Sequence, residues 1–144
     1  MRRILIIEDE SLTSDGLVVE LKQKQLECDV ARDFAQAVQL LGSRTYDAAV
    51  IDLMLPEGIS QTVAEPMAPT TNEHFGVQLM RGIRGGRFDR TGTKRDTPIF
   101  VLTAIIEKAV RDEVFKLNPE EMFTKPEVPA YIAEHIKLCL EDQA

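Results

Sequence analysis

The chain has 144 residues, of which 44% are hydrophobic, enough for one domain with a single core. The net charge of −7 disfavours direct binding to nucleic acid, because the phosphate backbone rewards clustered Lys and Arg. No apolar run approaches the roughly 20 residues of a membrane span, and Cys28 and Cys139 stand too far apart to suggest a metal or redox motif. We therefore expect a cytoplasmic protein with reduced thiols and no membrane contact.

The chain begins with one strand followed by one helix. Arg2–Glu8 is a nearly continuous branched-chain run, typical of a parallel strand covered on both faces. Ser11–Gln25 follows as a helix. Its predicted apolar face consists of Leu12, Leu17, Val18 and Leu21.

The same alternation continues through the middle of the chain. Cys28–Ala31 is predicted as a short strand, Phe34–Leu41 as a helix and Asp47–Asp52 as a third strand. After a long interruption, His74–Arg84 has apolar residues at helical spacing. The pattern is that of repeated strand–helix units.

Two more units complete the chain. Pro98–Ala104 and Glu121–Lys125 are predicted as strands, and Glu107–Leu117 and Ala130–Leu140 as helices. Five repeats predict an α/β, flavodoxin-like fold: an open parallel sheet of order 2-1-3-4-5 with helices on both faces. Ligands of such sheets bind beyond the carboxyl ends of the strands, where the strand order reverses.

Functional groups lie at the carboxyl ends of four of the five predicted strands. Glu8 and Asp9 lie at the end of the first strand, Asp52 at the end of the third, Thr103 at the end of the fourth and Lys125 at the end of the fifth. Carboxylates gathered in one crevice repel one another unless a cation and an ammonium group offset their charge. Oxygen ligands with no nearby His or Cys favour Mg²⁺.

Four motifs carry a resemblance to a known family. The stretches ILIIEDE, VIDLMLPEG, VLTA and FTKP resemble, in order and location, the receiver domain of two-component response regulators. The resemblance implies one receiver domain over residues 1–144 that signals through phosphorylation of Asp52. The phosphoryl donor would be a sensor histidine kinase, a phosphotransfer protein or acetyl phosphate. Such a domain is not an enzyme acting on other molecules, since it catalyses only its own phosphorylation and dephosphorylation.

The resemblance also implies roles for the site residues. Asp9, Asp52 and the backbone carbonyl of Met54 would bind Mg²⁺ directly, and Glu8 would act through a metal-bound water. Thr103 would supply a hydroxyl donor and Lys125 a positive charge to the phosphoryl group, which needs positioning and charge neutralisation more than covalent chemistry. In the family the bond equivalent to Lys125-Pro126 is typically cis.

The resemblance further implies a switch. Phosphate on Asp52 would draw Thr103 inward and repack the surface of the fourth helix, fifth strand and fifth helix, where a downstream protein or a second copy would bind. The family often has Tyr or Phe at the position that is Met122 here. Phe123 is expected on the opposite face of the strand, so coupling would depend on Met122.

Two insertions depart from the family pattern. Residues 58–74 have little periodicity, and we expect a tolerated surface loop, a cover over the phosphorylation site or a partner-docking element. Residues at about 85–97 overlap a basic stretch, 81–96, which is expected at the far end of the sheet from Asp52. That stretch is expected to be a solvated flexible loop or a docking site for an acidic partner.

Three alternative functions can be compared with the same residues. A degenerate receiver would act as a phosphorylation-independent interaction module, although the acid, Asp, Thr and Lys set is complete here. A haloacid-dehalogenase-type phosphatase needs a second Asp where this chain has Met54, and a flavodoxin needs a neutral phosphate cradle where this chain has EDESLTS. Little sequence follows the fifth helix, so we expect a stand-alone receiver.

Overall fold

The computed structural model describes residues 1–58, 74–105 and 107–142. Its strands are β1 (Arg3–Ile7), β2 (Glu27–Ala31), β3 (Ala48–Ile51), β4 (Ile99–Thr103) and β5 (Glu121–Thr124). Its helices are α1 (Ser11–Gln23), α2 (Phe34–Ser43), α3 (Phe75–Arg84), α4 (Lys108–Phe115) and α5 (Pro129–Asp142). Every predicted element is present, with each boundary within about two residues of the expected one, the usual margin for helix and strand ends.

The strands form one parallel sheet of order β2-β1-β3-β4-β5, which confirms the predicted topology. The reversal of strand order lies between β1 and β3, whose last residues Ile7 and Ile51 are paired. The N–H of Asp52 continues this ladder and donates to the carbonyl oxygen of Ile7 at 3.0 Å. The residues that follow β1 and β3 are therefore neighbours at the carboxyl edge of the sheet.

Each face of the sheet is covered by its own group of helices. Helices α1 and α5 bury Leu17, Leu21 and Ile136 against one face. Helices α2, α3 and α4 bury residues such as Leu41, Leu79 and Val114 against the other. Such burial contributes roughly 1.5–3 kcal/mol for each large aliphatic side chain, so both layers hold the sheet that positions the site.

The prediction that Leu12 belongs to the buried face of α1 is wrong. Leu12 is 86% exposed, and Ser14 is buried on the face that carries Leu17 and Leu21. Ser14 lies three residues before Leu17, which places both on one side of the helix, whereas Leu12 is five residues before Leu17 and points away. The hydroxyl of Ser14 donates to the carbonyl oxygen of Ser11 at 3.2 Å, which satisfies its buried polar group.

The insertion expected at about 85–97 is not a solvated loop. It leads into the amino end of β4, as predicted, but Phe88 is only 4% exposed and Thr93 is fully buried. The N–H of Thr93 donates to the carbonyl oxygen of Leu41 at 2.8 Å, and its hydroxyl donates to that of Arg44 at 2.8 Å. These contacts fasten the segment to the last turn of α2 and to Arg44, which follows it.

The first expected insertion, 58–74, falls largely on residues 59–73, so the expected surface loop, cover or docking element lies outside the described residues. In the part of the chain that the structure describes, no helix is both long enough and apolar enough to cross a membrane.

Candidate functional site

The ends of three strands fix the backbone of the site. Beyond β1, the N–H of Glu8 donates to the carbonyl oxygen of Ala31 at 2.9 Å. Beyond β5, the N–H of Lys125 donates to the carbonyl oxygen of Thr103 at 2.9 Å. Asp52 is held to Ile7 as described above. Sheet hydrogen bonds thus extend one residue past each strand and bring these side chains to one edge.

Three carboxylates meet at this edge. Each of Glu8, Asp9 and Asp52 offers an oxygen atom, and these atoms lie within 4.8 Å of one another. Glu8 is 1% and Asp52 4% exposed, while Asp9 is open to solvent. Oxygen atoms from carboxylates are the ligands that hard divalent cations such as Mg²⁺ prefer. The donor set therefore fits the expected metal, with its open side at Asp9.

Lys125 lies against two of these carboxylates. Its Nζ is 2.9 Å from Oδ2 of Asp52 and 2.5 Å from Oε1 of Glu8. Burial lowers the lysine pKa, but hydrogen bonds and charge attraction from Glu8 and Asp52 outweigh this effect and raise it. Lys125 therefore stays an ammonium group beside Asp52 at neutral pH.

The crowding of carboxylates changes the pKa of Glu8. Burial, together with the charge of Asp52, raises the pKa of Glu8 from 4.5 to about 7, against the lowering effect of Lys125. One ammonium group is thus shared by two buried carboxylates. The excess negative charge is a second reason why the site fits a divalent cation. The direct contact between Glu8 and Lys125 was not predicted.

A short turn holds the Asp52 side chain from its other side. Oδ1 of Asp52 accepts a hydrogen bond from the N–H of Met54 at 3.0 Å, and the Met54 side chain is 55% exposed. Leu53, which lies between Asp52 and Met54 in this turn, accepts a hydrogen bond at its carbonyl oxygen from the N–H of Gly76 at 3.1 Å. The first turn of α3 therefore packs directly on the backbone that carries Asp52.

Gly76 is a positioning residue that sequence reasoning missed. A Cβ atom at this position would lie 2.4 Å from the carbonyl oxygen of Asp52 and 2.4 Å from Cα of Leu53. Such contacts are far shorter than the roughly 3.5–4.0 Å at which carbon atoms normally pack. The one signal in the sequence is a glycine in the first turn of an apolar helix, where most other residues would favour the helix more.

Thr103 and Met122 lie where the sequence places them. Thr103 is 1% exposed, and its hydroxyl oxygen accepts a hydrogen bond from the N–H of Ile105 at 3.2 Å. Met122 packs on the layer of α2, α3 and α4, whereas Phe123 is buried in the layer of α1 and α5. The expected alternation of Met122 and Phe123 is confirmed. The bond Lys125-Pro126 is cis, as expected.

Comparisons with known proteins agree with this architecture. No protein-family model matches the chain. The phosphate regulon transcriptional regulatory protein PhoB of Escherichia coli is 27% identical over 139 residues, which cover 96% of this chain and 52% of PhoB. The chain spans about half the length of such curated relatives, among them ResD of Bacillus subtilis at 26% identity.

Two solved receiver domains share the fold. A CheY-like response regulator receiver domain protein from Methanospirillum hungatei has a TM-score of 0.73 at 18% identity and covers 99% of this chain and 96% of its own. The receiver domain of the Francisella response regulator 1452 has a TM-score of 0.75 at 18% identity and covers 100% of both chains. The relatives of this chain are therefore response regulators, and its fold is that of their receiver domains.

Proposed function

We propose that this chain is a phosphoacceptor of a two-component or phosphorelay system, with Asp52 as the acceptor. The observation that carries the proposal is the position of Asp52, a buried carboxylate with Lys125 Nζ at 2.9 Å and two further carboxylates beside it. A carboxylate needs no general base to act as a nucleophile, and the ammonium group of Lys125 lies where it can offset negative charge beside Asp52.

In the proposed reaction a carboxylate oxygen of Asp52 attacks the phosphorus of a phosphohistidine. The new bond joins that oxygen to phosphorus, and the bond between phosphorus and the imidazole nitrogen breaks with its electron pair left on nitrogen. The imidazole ring, protonated by solvent, leaves as the neutral histidine of the donor. The product is an acyl phosphate on Asp52. Lys125 moves no proton in this step. Its ammonium group would instead attract the phosphoryl oxygens, and the hydroxyl of Thr103, at the carboxyl end of β4, would donate to one of them.

Asp9, Asp52 and the carbonyl of Met54 would hold Mg²⁺, with Glu8 acting through a metal-bound water. When bound, the cation would offset the charge of the carboxylates and of the phosphoryl oxygens. Glu8 would then no longer need the whole charge of Lys125, which leaves that ammonium group available to the phosphoryl oxygens. We expect the chain to catalyse only its own phosphorylation and dephosphorylation.

The proposed output is a change of partner binding. The hydroxyl of Thr103 would turn from Ile105 towards the phosphate, and Met122, which packs on the same layer as α4, would move into the space left behind. The surface of α4, β5 and α5 would then bind a downstream protein or a second copy. The donor would be a sensor histidine kinase or a phosphotransfer protein.

Intact-mass measurement after incubation with acetyl phosphate and Mg²⁺ tests the proposal. We expect the mass gain of one phosphoryl group in the wild type and in Asp15→Asn, a control change of an exposed acid in α1. We expect no gain in Asp52→Asn or in the presence of a chelator. Absence of any gain in the wild type, with phosphorylated donor proteins failing too, would instead favour the degenerate receiver that binds partners without phosphorylation.

A further inference from the structure

Residues 81–96 form a basic segment on an acidic protein. The segment contains six of the 17 basic residues and two of the 24 acidic ones, so it carries +4 on a chain of net charge −7. The rest of the chain therefore carries −11. Charges separated in this way create a local positive field that attracts anionic groups.

The basic segment is held by Arg84 as well as by Phe88 and Thr93. The guanidinium of Arg84 donates hydrogen bonds of 2.7–2.9 Å to four backbone carbonyl oxygens, those of Arg95, Thr97, Leu117 and Asn118. The Arg84 side chain thereby joins the end of α3 to the residues that precede β4 and to the residues that follow α4. A fixed backbone loses little conformational entropy when it binds a partner.

The cations of the basic segment that face solvent exceed the acids that accompany them. Arg90 and Lys94 are exposed. Arg95, whose side chain is 63% exposed, pairs with Asp89 at 2.7 Å and so neutralises that acid. This pairing also lowers the pKa of Asp89. Arg90 and Lys94, together with the exposed Arg87, carry much of the positive charge that remains, and Asp96 is the second acid of the segment. The Nζ of Lys94 donates to the carbonyl oxygen of Asp89, a neutral group.

We propose that the basic segment is a docking site for an acidic segment of a partner protein. Guanidinium and ammonium groups bind carboxylates through charge-assisted hydrogen bonds. Nucleic acid fits less well, because Phe88, the one aromatic residue of the segment, is buried and offers no stacking surface. The remaining −11 would also repel a long polyanion.

The position of the basic segment gives the docking site a separate role from Asp52. The segment precedes β4, so it lies at the amino edge of the sheet, whereas Asp52 lies at the carboxyl edge. A partner bound there leaves the phosphorylation site open. Docking is therefore expected to proceed equally well with Asp52→Asn, which separates this proposal from the proposed function.

Fluorescence anisotropy with a labelled peptide of alternating Glu and Ser tests the docking site. At low ionic strength, where screening is weak, we expect the wild type and Asp52→Asn to bind the peptide equally. Arg90→Glu with Lys94→Glu should weaken binding by about tenfold or more, and the Gln versions of both changes by less. Lys22→Glu with Arg32→Glu, two exposed positions outside the segment and outside the α4–β5–α5 surface, makes the same change of net charge and should alter binding by less than about twofold.

Three results would overturn the docking proposal. The first is no binding of the peptide by the wild type at low ionic strength. The second is equal weakening by the basic-segment variant and the control variant, since that would reflect net charge alone. The third is tighter binding of a single-stranded DNA oligonucleotide with the same number of charges. Thermal unfolding followed by circular dichroism should show that each variant melts cooperatively as the wild type does.

Discussion

Replacing Gly76 with alanine should destabilise the protein and disturb the site together. The added Cβ would lie 2.4 Å from backbone atoms of both Asp52 and Leu53, more than about 1 Å inside normal packing distance. Overpacking of this kind costs about 1–3 kcal/mol, and backbone atoms cannot swing aside as a side chain would. Alanine returns at most about 1 kcal/mol through helix propensity. We expect a net loss of about 2 kcal/mol.

Urea unfolding measures this loss, and Gly42→Ala is its matched control. Gly42 also lies in a helix, but its added Cβ would meet only Cδ1 of Phe88, at an ordinary 3.7 Å. Gly42→Ala should therefore leave stability unchanged or raise it by up to about 1 kcal/mol. Gly76→Ala should also slow phosphorylation, because Asp52 must shift. The reasoning is refuted if both variants unfold at the same urea concentration.

Three further predictions concern a buried acid, a partly buried arginine and two partly buried thiols. Folding raises the Glu8 pKa from 4.5 to about 7, so the folded protein binds more protons than the unfolded chain between these pH values. Without divalent cations, the free energy of unfolding should fall by about 3 kcal/mol as pH rises across that interval. If the free energies of unfolding of the wild type and Glu8→Gln differ by the same amount at every pH, this prediction is wrong. Arg84→Ala should lower the free energy of unfolding in urea by about 2–4 kcal/mol, because four carbonyl oxygens lose a charged donor, and Arg84→Lys should have an intermediate effect. A wild-type urea midpoint for Arg84→Ala would show that these hydrogen bonds do not stabilise the fold. Burial raises the pKa of Cys28 and Cys139 to about 11, so alkylation by iodoacetamide at pH 8 should be roughly a hundredfold slower than in urea, and equal rates would show that the thiols are open.

Local patterns predicted the sheet and the site because both depend on short-range rules. A branched-chain run followed at once by an acid, as at Asp52, indicates a buried strand that ends at a ligand-binding edge. The strand order then brings the residues after β1 and β3 together without any knowledge of side-chain contacts. The same logic placed Lys125 correctly, two strands away from Asp52.

The features that the sequence did not predict arise from contacts between distant segments. Gly76 approaches Asp52 across a long connection whose course no local rule defines. Phe88 and Thr93 are buried although their surroundings are rich in Gly and Arg, because they meet the last turn of α2. Leu12 was misplaced because several apolar residues of α1 fit helical spacing, and only the position of the sheet decides which of them is covered.

The most direct test of the phosphoacceptor assignment is chemical mapping of the modified residue. Borohydride reduces an aspartyl phosphate to homoserine, so peptide mass spectrometry after phosphorylation and reduction identifies the acceptor. We expect conversion at Asp52 and at no other acid, with Asp9 and Glu8 unmodified. Homoserine at Asp9, or homoserine at any position in Asp52→Asn, would contradict the assignment of Asp52 as the phosphoacceptor.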